Sequence, residues 1–105
     1  MSVTVQVASV DEVPVSDMKR VQAADIRALL LNVDGTFYAV QLDCPHQEST
    51  LDLGDLDGST LMCAAHGSEF DVVTGKVLAA PADTDLLVYE VKVRDRGVFI
   101  VVPEG

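Results

Sequence analysis

Every cysteine and every histidine of this chain falls within two short segments, Cys44-Pro45-His46 and Cys63-Ala64-Ala65-His66. Thiolate sulfur and imidazole nitrogen are the side-chain ligands that zinc and iron–sulfur centres take from proteins. Each segment offers one ligand of each kind, follows an apolar run and leads into turn-forming residues. The pattern therefore predicts a metal centre whose ligands are these two cysteines and two histidines.

Two kinds of metal centre accept such a ligand set. A mononuclear zinc site binds two cysteines and two histidines in a tetrahedral arrangement. Structural zinc sites usually take both cysteines from one knuckle and both histidines from another segment, whereas each segment here mixes the two. One cysteine and one histidine in each segment suit a binuclear centre in which each loop supplies one ligand to each metal ion. A zinc site stays open as the alternative.

The elements that position these ligands are predicted to be short strands joined by tight turns. Asp34-Gly35 is the strongest hairpin signal, because both residues tolerate the positive φ of a type I′ turn. The returning strand, Thr36 to Val40, leads directly to Cys44. Asp57-Gly58 gives a second hairpin-like turn, and the strand after it leads directly to Cys63.

No amphipathic helix is predicted, and several short strands punctuated by turns favour an all-β barrel or sandwich. Leu86 to Arg94 and Val98 to Val102 are predicted to form a closing hairpin around Asp95-Arg96-Gly97. The other predicted strands are Val3 to Val7, Lys19 to Gln22, Ile26 to Val33, Ser59 to Met62 and Lys76 to Leu78.

The size and composition of the chain indicate one domain spanning residues 1–105. A chain of 105 residues is of ordinary length for one core, and its 49% hydrophobic residues include only 5% aromatics. No run approaches the roughly 20 apolar residues that a membrane-spanning helix needs, and the start resembles no export signal. We therefore expect a cytoplasmic protein with reduced thiols and no membrane partner.

The charge balance narrows the class of partner. Seventeen acidic residues against seven basic ones give a net charge of −10, which disfavours nucleic acid and anionic membranes and favours basic partners. No lysine or arginine lies between Arg27 and Lys76, and both ligand segments fall inside this acidic stretch.

The ligand segments and their surroundings resemble the Rieske-type ferredoxins, in particular the ferredoxin components of multicomponent aromatic-ring dioxygenase systems. That family carries a C-x-H pair and a C-x-x-H pair, spaced much as they are here. The resemblance is strong over residues 44–81 and includes Leu51, the Gly54 to Gly58 turn, His66-Gly67, Phe70-Asp71, Thr74-Gly75 and Pro81. It implies an antiparallel β barrel or sandwich with a small cluster-binding β subdomain, here about residues 43–81.

The resemblance also implies the cofactor and its ligands. One [2Fe-2S] cluster per chain would be held by Cys44 and Cys63 on the inner iron and by His46 and His66 on the outer iron. With neutral imidazoles, such a cluster and its two thiolates carry no net charge when oxidised and one negative charge when reduced.

Further residues are implied as the environment of that cluster. Leu51, Phe70 and Pro81 would cover it, and Gly67 would let backbone N–H groups approach the sulfurs. Ser68 stands where the high-potential relatives donate a hydroxyl to a bridging sulfide. The chain lacks the extra disulfide cysteines and the tyrosine of those relatives, so we expect a potential near the bottom of the roughly −150 to +300 mV Rieske range.

The function implied is electron transport and not catalysis. The chain would accept single electrons from a flavin-containing, NAD(P)H-dependent ferredoxin reductase and pass them to a terminal aromatic-ring-hydroxylating oxygenase, acting as a monomer. Two other functions stay open: a small Rieske-like subunit of another oxidoreductase, such as nitrite reductase, and a zinc-stabilised interaction module.

Overall fold

A computed structural model describes residues 2–45, 50–64, 67–79 and 84–103, which form ten β-strands and two single 3-10 turns. The strands are β1 (Ser2–Ser9), β2 (Met18–Ala23), β3 (Ile26–Val33), β4 (Thr36–Gln41), β5 (Asp55–Asp57), β6 (Thr60–Met62), β7 (Glu69–Asp71), β8 (Val77–Ala79), β9 (Val88–Arg94) and β10 (Gly97–Pro103). The 3-10 turns cover Val10–Glu12 and Leu51–Leu53.

The strands form two antiparallel sheets. The large sheet has six strands in the order β1-β10-β9-β4-β3-β2, and the small sheet has four in the order β5-β6-β7-β8. The small sheet is inserted in the chain between β4 and β9, which are neighbours in the large sheet. No α-helix occurs in the described ranges, so the predicted all-β class is confirmed. Within these ranges, no helix is long and apolar enough to cross a membrane.

The tight turns of the large sheet follow from residues with positive φ. Asp34 and Gly35 have φ values of 52° and 92° between β3 and β4, which confirms the predicted hairpin turn. In the closing hairpin, Asp95 and Arg96 alone form the turn, with φ values of 48° and 66°. Gly97 already belongs to β10 and pairs with Arg94, so the predicted three-residue turn is one residue too long.

Strand β3 explains how one sheet supports two cores. Ala28, Leu29, Leu30 and Leu31 are all fully buried, which accounts for the continuous apolar run in the sequence. Ala28 and Leu30 face a core that the large sheet encloses. Leu29 and Leu31 face a second core, which the large sheet shares with the small sheet. The second core therefore joins the two sheets.

The structure has two strands that the sequence does not predict, β5 and β7, because the three residues of each contain only one apolar side chain, Leu56 or Phe70. Strand β9 begins at Val88 and not at Leu86, since the N–H groups of Leu86 and Leu87 do not bond to the backbone of β4. The N–H of Leu86 donates to the carbonyl of Gly75, and the N–H of Leu87 donates to the side chain of Gln41.

Candidate metal centre

Both cysteines lie in the core that joins the two sheets. Cys44 follows β4 and is 5% exposed, and Cys63 follows β6 and is 1% exposed. The two residues belong to the same apolar cluster and do not form a disulfide. Two buried thiols delivered to one core by two different strands are suited to bind a metal centre that also contacts apolar side chains.

The first ligand loop is closed at its base by backbone pairing. Asp43 and Thr50 form an isolated antiparallel bridge, and the N–H of Leu51 donates to the carbonyl of Leu42 at 2.7 Å. Cys44 is the first residue inside this closure. His46, the second predicted ligand, lies outside the residues that the structure describes.

The second loop is closed in a similar way, but by the cysteine itself. The N–H of Cys63 donates to the carbonyl of Ser68 at 2.7 Å, and the N–H of Gly67 donates back to the carbonyl of Cys63 at 3.1 Å. Gly67 has a φ of 75°, a value that suits glycine best, and Ser68 is completely buried. His66 lies outside the described residues.

The predicted covering residues lie against this site, as far as the structure describes them. Leu51 and Phe70 are fully buried in the cluster that contains both cysteines. Phe70 on β7 is directly opposite Leu61, two residues before Cys63 on β6. Pro81 lies outside the described residues. The apolar cluster that contains both cysteines also includes Leu42, Val72 and Leu86, which the sequence did not predict.

Two glycines near the site lie where another backbone segment approaches closely. Gly54 follows the 3-10 turn, and a Cβ placed there would lie 1.8 Å from the carbonyl oxygen of Met62, next to Cys63. A Cβ at Gly75 would lie 2.4 Å from the carbonyl oxygen of Leu86. Glycine at both positions therefore permits close backbone packing around the second loop.

Ion pairs anchor both ends of the first loop to the large sheet. Arg27 on β3 contacts Asp43 at 3.5 Å, and Arg20 on β2 contacts Asp52 at 3.8 Å. The other carboxylate oxygen of Asp52, Oδ1, is buried and has no hydrogen-bond partner among the described residues. The acidic stretch of the sequence is thus partly paired with arginines that precede it in the chain.

The described part of the site fits a [2Fe-2S] cluster. A cluster with two thiolate and two neutral imidazole ligands carries no net charge when oxidised, so its partial burial against leucine and phenylalanine avoids a large desolvation penalty. The two described cysteines meet this requirement, since both are buried in an apolar cluster and each stands in a loop of its own.

Comparisons with known proteins agree with this geometry. The biphenyl dioxygenase ferredoxin subunit of Pseudomonas sp. (strain KKS102) is 39% identical over 93 residues, which cover 88% of this chain and 85% of that protein. The solved Sphingomonas yanoikuyae B1 ferredoxin superposes with a TM-score of 0.91 at 27% identity, covering 96% of this chain and 100% of that one.

A third similarity is to a chain in the solved complex of reduced oxygenase and oxidised ferredoxin of carbazole 1,9a-dioxygenase. It has a TM-score of 0.87 at 28% identity and covers 92% of this chain and 91% of that one. The sequence profile of the Rieske [2Fe-2S] domain matches residues 3–92. The chain therefore belongs to the Rieske [2Fe-2S] domain family, whose cofactor is the [2Fe-2S] cluster.

Proposed function

We propose that this protein carries single electrons from an NAD(P)H-dependent flavin reductase to a terminal aromatic-ring-hydroxylating dioxygenase. The observation that carries the proposal is the pair of buried cysteines in one core, in a chain of the Rieske family. Similarity to dioxygenase ferredoxin subunits along most of the chain supports the class of acceptor. The proposal places the protein in the cytoplasm as a monomer, with residues 1–105 as one domain and residues 43–81 as its cluster-binding subdomain.

The proposed ligands are Cys44 and Cys63 for the inner iron and His46 and His66 for the outer iron. When bound, the cluster supplies one-electron redox chemistry at a potential that neutral imidazole ligands raise above that of an all-thiolate cluster. The chain surrounds the thiolates with apolar side chains and thereby excludes water from them. Burial of this kind keeps the thiolates from competing reactions with solvent.

The outer face of the small sheet carries the charge that basic partners would recognise. Its apolar residues Leu61 and Phe70 face the core, so the alternation of a strand places their neighbours on the opposite face. That outer face carries two carboxylates on β5 and two on β7, namely Asp55, Asp57, Glu69 and Asp71. Carboxylates concentrated beside the ligand loops would attract basic patches on both partners and speed weak, short-lived encounters.

The test of this function begins with the cofactor. Protein purified without air is expected to show the visible absorption of a [2Fe-2S] cluster and, after one-electron reduction, an EPR signal. Iron and sulfide should each be present at about two per chain. A colourless, EPR-silent protein with one zinc ion per chain would instead indicate the zinc-stabilised module.

Electron transfer is then measured by stopped flow, with a flavin reductase and with a terminal oxygenase of this class. If the acidic face steers the encounter, the second-order rate constants should fall as salt rises, because the Debye length shortens to about 3 Å at 1 M. Rate constants that do not change with salt would contradict the steering role of the carboxylates, and absence of transfer to any oxygenase would contradict the proposed acceptor.

Replacing Ser68 by alanine is expected to lower the midpoint potential. We propose that its hydroxyl donates to a bridging sulfide, and a hydrogen bond to the cluster stabilises the reduced state more than the oxidised one. If that difference is worth about 1.4 kcal/mol, the potential falls by about 60 mV. Voltammetry of Ser68→Ala measures the shift, with Ser59→Ala as control. An unchanged potential would exclude the role of Ser68.

A further inference from the structure

The chain enters and leaves the small sheet at one place. Strand β4 ends at Gln41, and β9 starts at Val88, directly opposite Val40 of β4. The segment that leads out of the small sheet and the segment that leads to Cys44 therefore run next to each other. The side chain of Gln41 links these two segments.

Gln41 makes three hydrogen bonds at this junction, two to Leu87 across it and one to Asp43 in its own segment. Its Oε1 accepts from the N–H of Leu87 at 2.7 Å, although the two residues are 46 positions apart in the chain. Its Nε2 donates to the carbonyl of Asp43 at 2.7 Å. Its backbone N–H donates to the carbonyl of Leu87 at 3.0 Å. A carboxamide is required for both side-chain bonds, because it combines an acceptor and a donor.

The segment that Gln41 holds is also bound to the small sheet. The N–H of Leu86 donates to the carbonyl of Gly75 at 2.7 Å, and a carboxylate oxygen of Asp85 accepts from the N–H of Val77 at 2.8 Å. We call residues 85–87 the strap. Residues 85 and 86 of the strap bond to the small sheet and residue 87 bonds to the large sheet, so the strap joins the two.

The bond to Asp43 acts directly on the first ligand loop. The carbonyl of Asp43 and the N–H of Cys44 belong to one planar peptide group and point in opposite directions. The hydrogen bond from Gln41 to this carbonyl therefore restrains the direction of the N–H of Cys44 and the position of its Cα, from which the side chain extends. The Arg27–Asp43 ion pair acts on the side chain of Asp43. The bond from Gln41 acts on the peptide group between Asp43 and Cys44, beside the backbone bridge of Asp43 to Thr50.

We infer that Gln41 is a positioning residue that sets the placement of Cys44 and of the strap, and thereby of the cluster-binding subdomain on the large sheet. The inference rests on the proposed function in one respect, the assignment of Cys44 as a ligand. The same carboxamide serves both segments, so the loss of one side chain loosens the ligand loop and the strap together.

The test compares Gln41→Met and Gln41→Glu with the control Gln22→Met. Methionine is similar in length to glutamine but makes neither bond. Gln22 provides the control because its Nε2 also donates to a backbone carbonyl, that of Ala24, away from the ligand loops. Two quantities are measured in each protein: amide hydrogen exchange at Leu87, and the rate at which visible absorption is lost in the presence of an iron chelator.

In Gln41→Met, exchange at Leu87 is expected to be about five times faster, the factor for one hydrogen bond of about 1 kcal/mol. Loss of absorption is expected to be at least twice as fast. Glutamate can accept from Leu87 but cannot donate to Asp43. Gln41→Glu should therefore keep the protection of Leu87 and still lose absorption faster. The control should match the original protein in both measurements.

Three results would overturn the inference: exchange at Leu87 that stays the same in Gln41→Met, absorption loss in Gln41→Glu at the original rate, or equal acceleration in the control. The N–H of Leu87 bonds to the side chain of Gln41 and not to a proposed ligand, so its exchange can be measured whether or not the cluster is bound. A protein that is colourless before any substitution would therefore contradict the proposed ligands, while the exchange data would still decide whether Gln41 holds the strap.

Discussion

Replacing Cys63 by serine is expected to abolish the visible absorption and the EPR signal completely. The proposed inner iron takes thiolate ligands, and the serine hydroxyl that would replace one of them stays protonated near neutral pH. Cys63 is 1% exposed and its N–H is bonded to the carbonyl of Ser68, so the serine hydroxyl is expected to occupy the buried position of the thiol. Absorption, EPR and iron analysis of the purified variant measure the effect.

Ala64→Ser is the matched control for this substitution. Ala64 is the next residue of the same loop and is exposed, so a hydroxyl there contacts solvent and leaves the ligands unchanged. The control should keep the spectrum of the original protein. If Cys63→Ser retained two iron ions per chain and the same visible bands, the assignment of Cys63 as a ligand would be wrong.

Replacing Gly54 by alanine is expected to destabilise the fold by about 3 kcal/mol or more, among the larger effects of a single substitution. The new Cβ would lie 1.8 Å from the carbonyl oxygen of Met62 and 3.0 Å from its carbonyl carbon. Both atoms are backbone, so β6 itself would have to move, and β6 delivers Cys63 to the core. For a domain of this size the melting temperature should fall by about 12 to 24 °C.

Gly58→Ala separates this packing effect from ordinary backbone strain. Gly58 has a φ of 60°, but a Cβ added there would have no atom of the described residues within 4 Å. Alanine at this position therefore costs only about 1 to 2 kcal/mol of conformational energy. Gly54 has a φ of −89°, which alanine adopts freely. Thermal unfolding of both variants measures the difference between the steric clash and the backbone strain. A Gly54→Ala protein as stable as Gly58→Ala would exclude the steric explanation.

Much of the large sheet could be predicted, because its signals are local. The apolar run of β3 and the Asp34-Gly35 turn act within a few residues of themselves, and the structure places both as expected. The turn at Asp95 and Arg96 was less predictable, since glycine is the commoner turn residue and Gly97 comes next. Gly97 has no positive φ and pairs with Arg94 as part of β10, so the turn itself does not require this glycine.

Among the four proposed ligands, the structure describes only the cysteines, since His46 and His66 lie outside the described residues. That the two cysteines lie close together could be predicted from their spacing, and the structure buries both in one core. The roles of Gln41, Arg20 and Arg27 could not, because each depends on contacts with residues distant in the chain or on another strand. Local patterns do not contain that information.

The insertion of the small sheet between two neighbouring strands has a consequence for the order of folding. The hairpins β2–β3–β4, β5–β6–β7 and β9–β10 join strands that are adjacent in the chain, so their pairing closes only short loops. Pairing of β4 with β9 instead closes a loop that contains the whole inserted segment, and pairing of β1 with β10 joins strands from opposite ends of the chain. Strands β6 and β7, which frame the second loop, can therefore pair before the large sheet closes, so that loop can take shape before the core around it is complete.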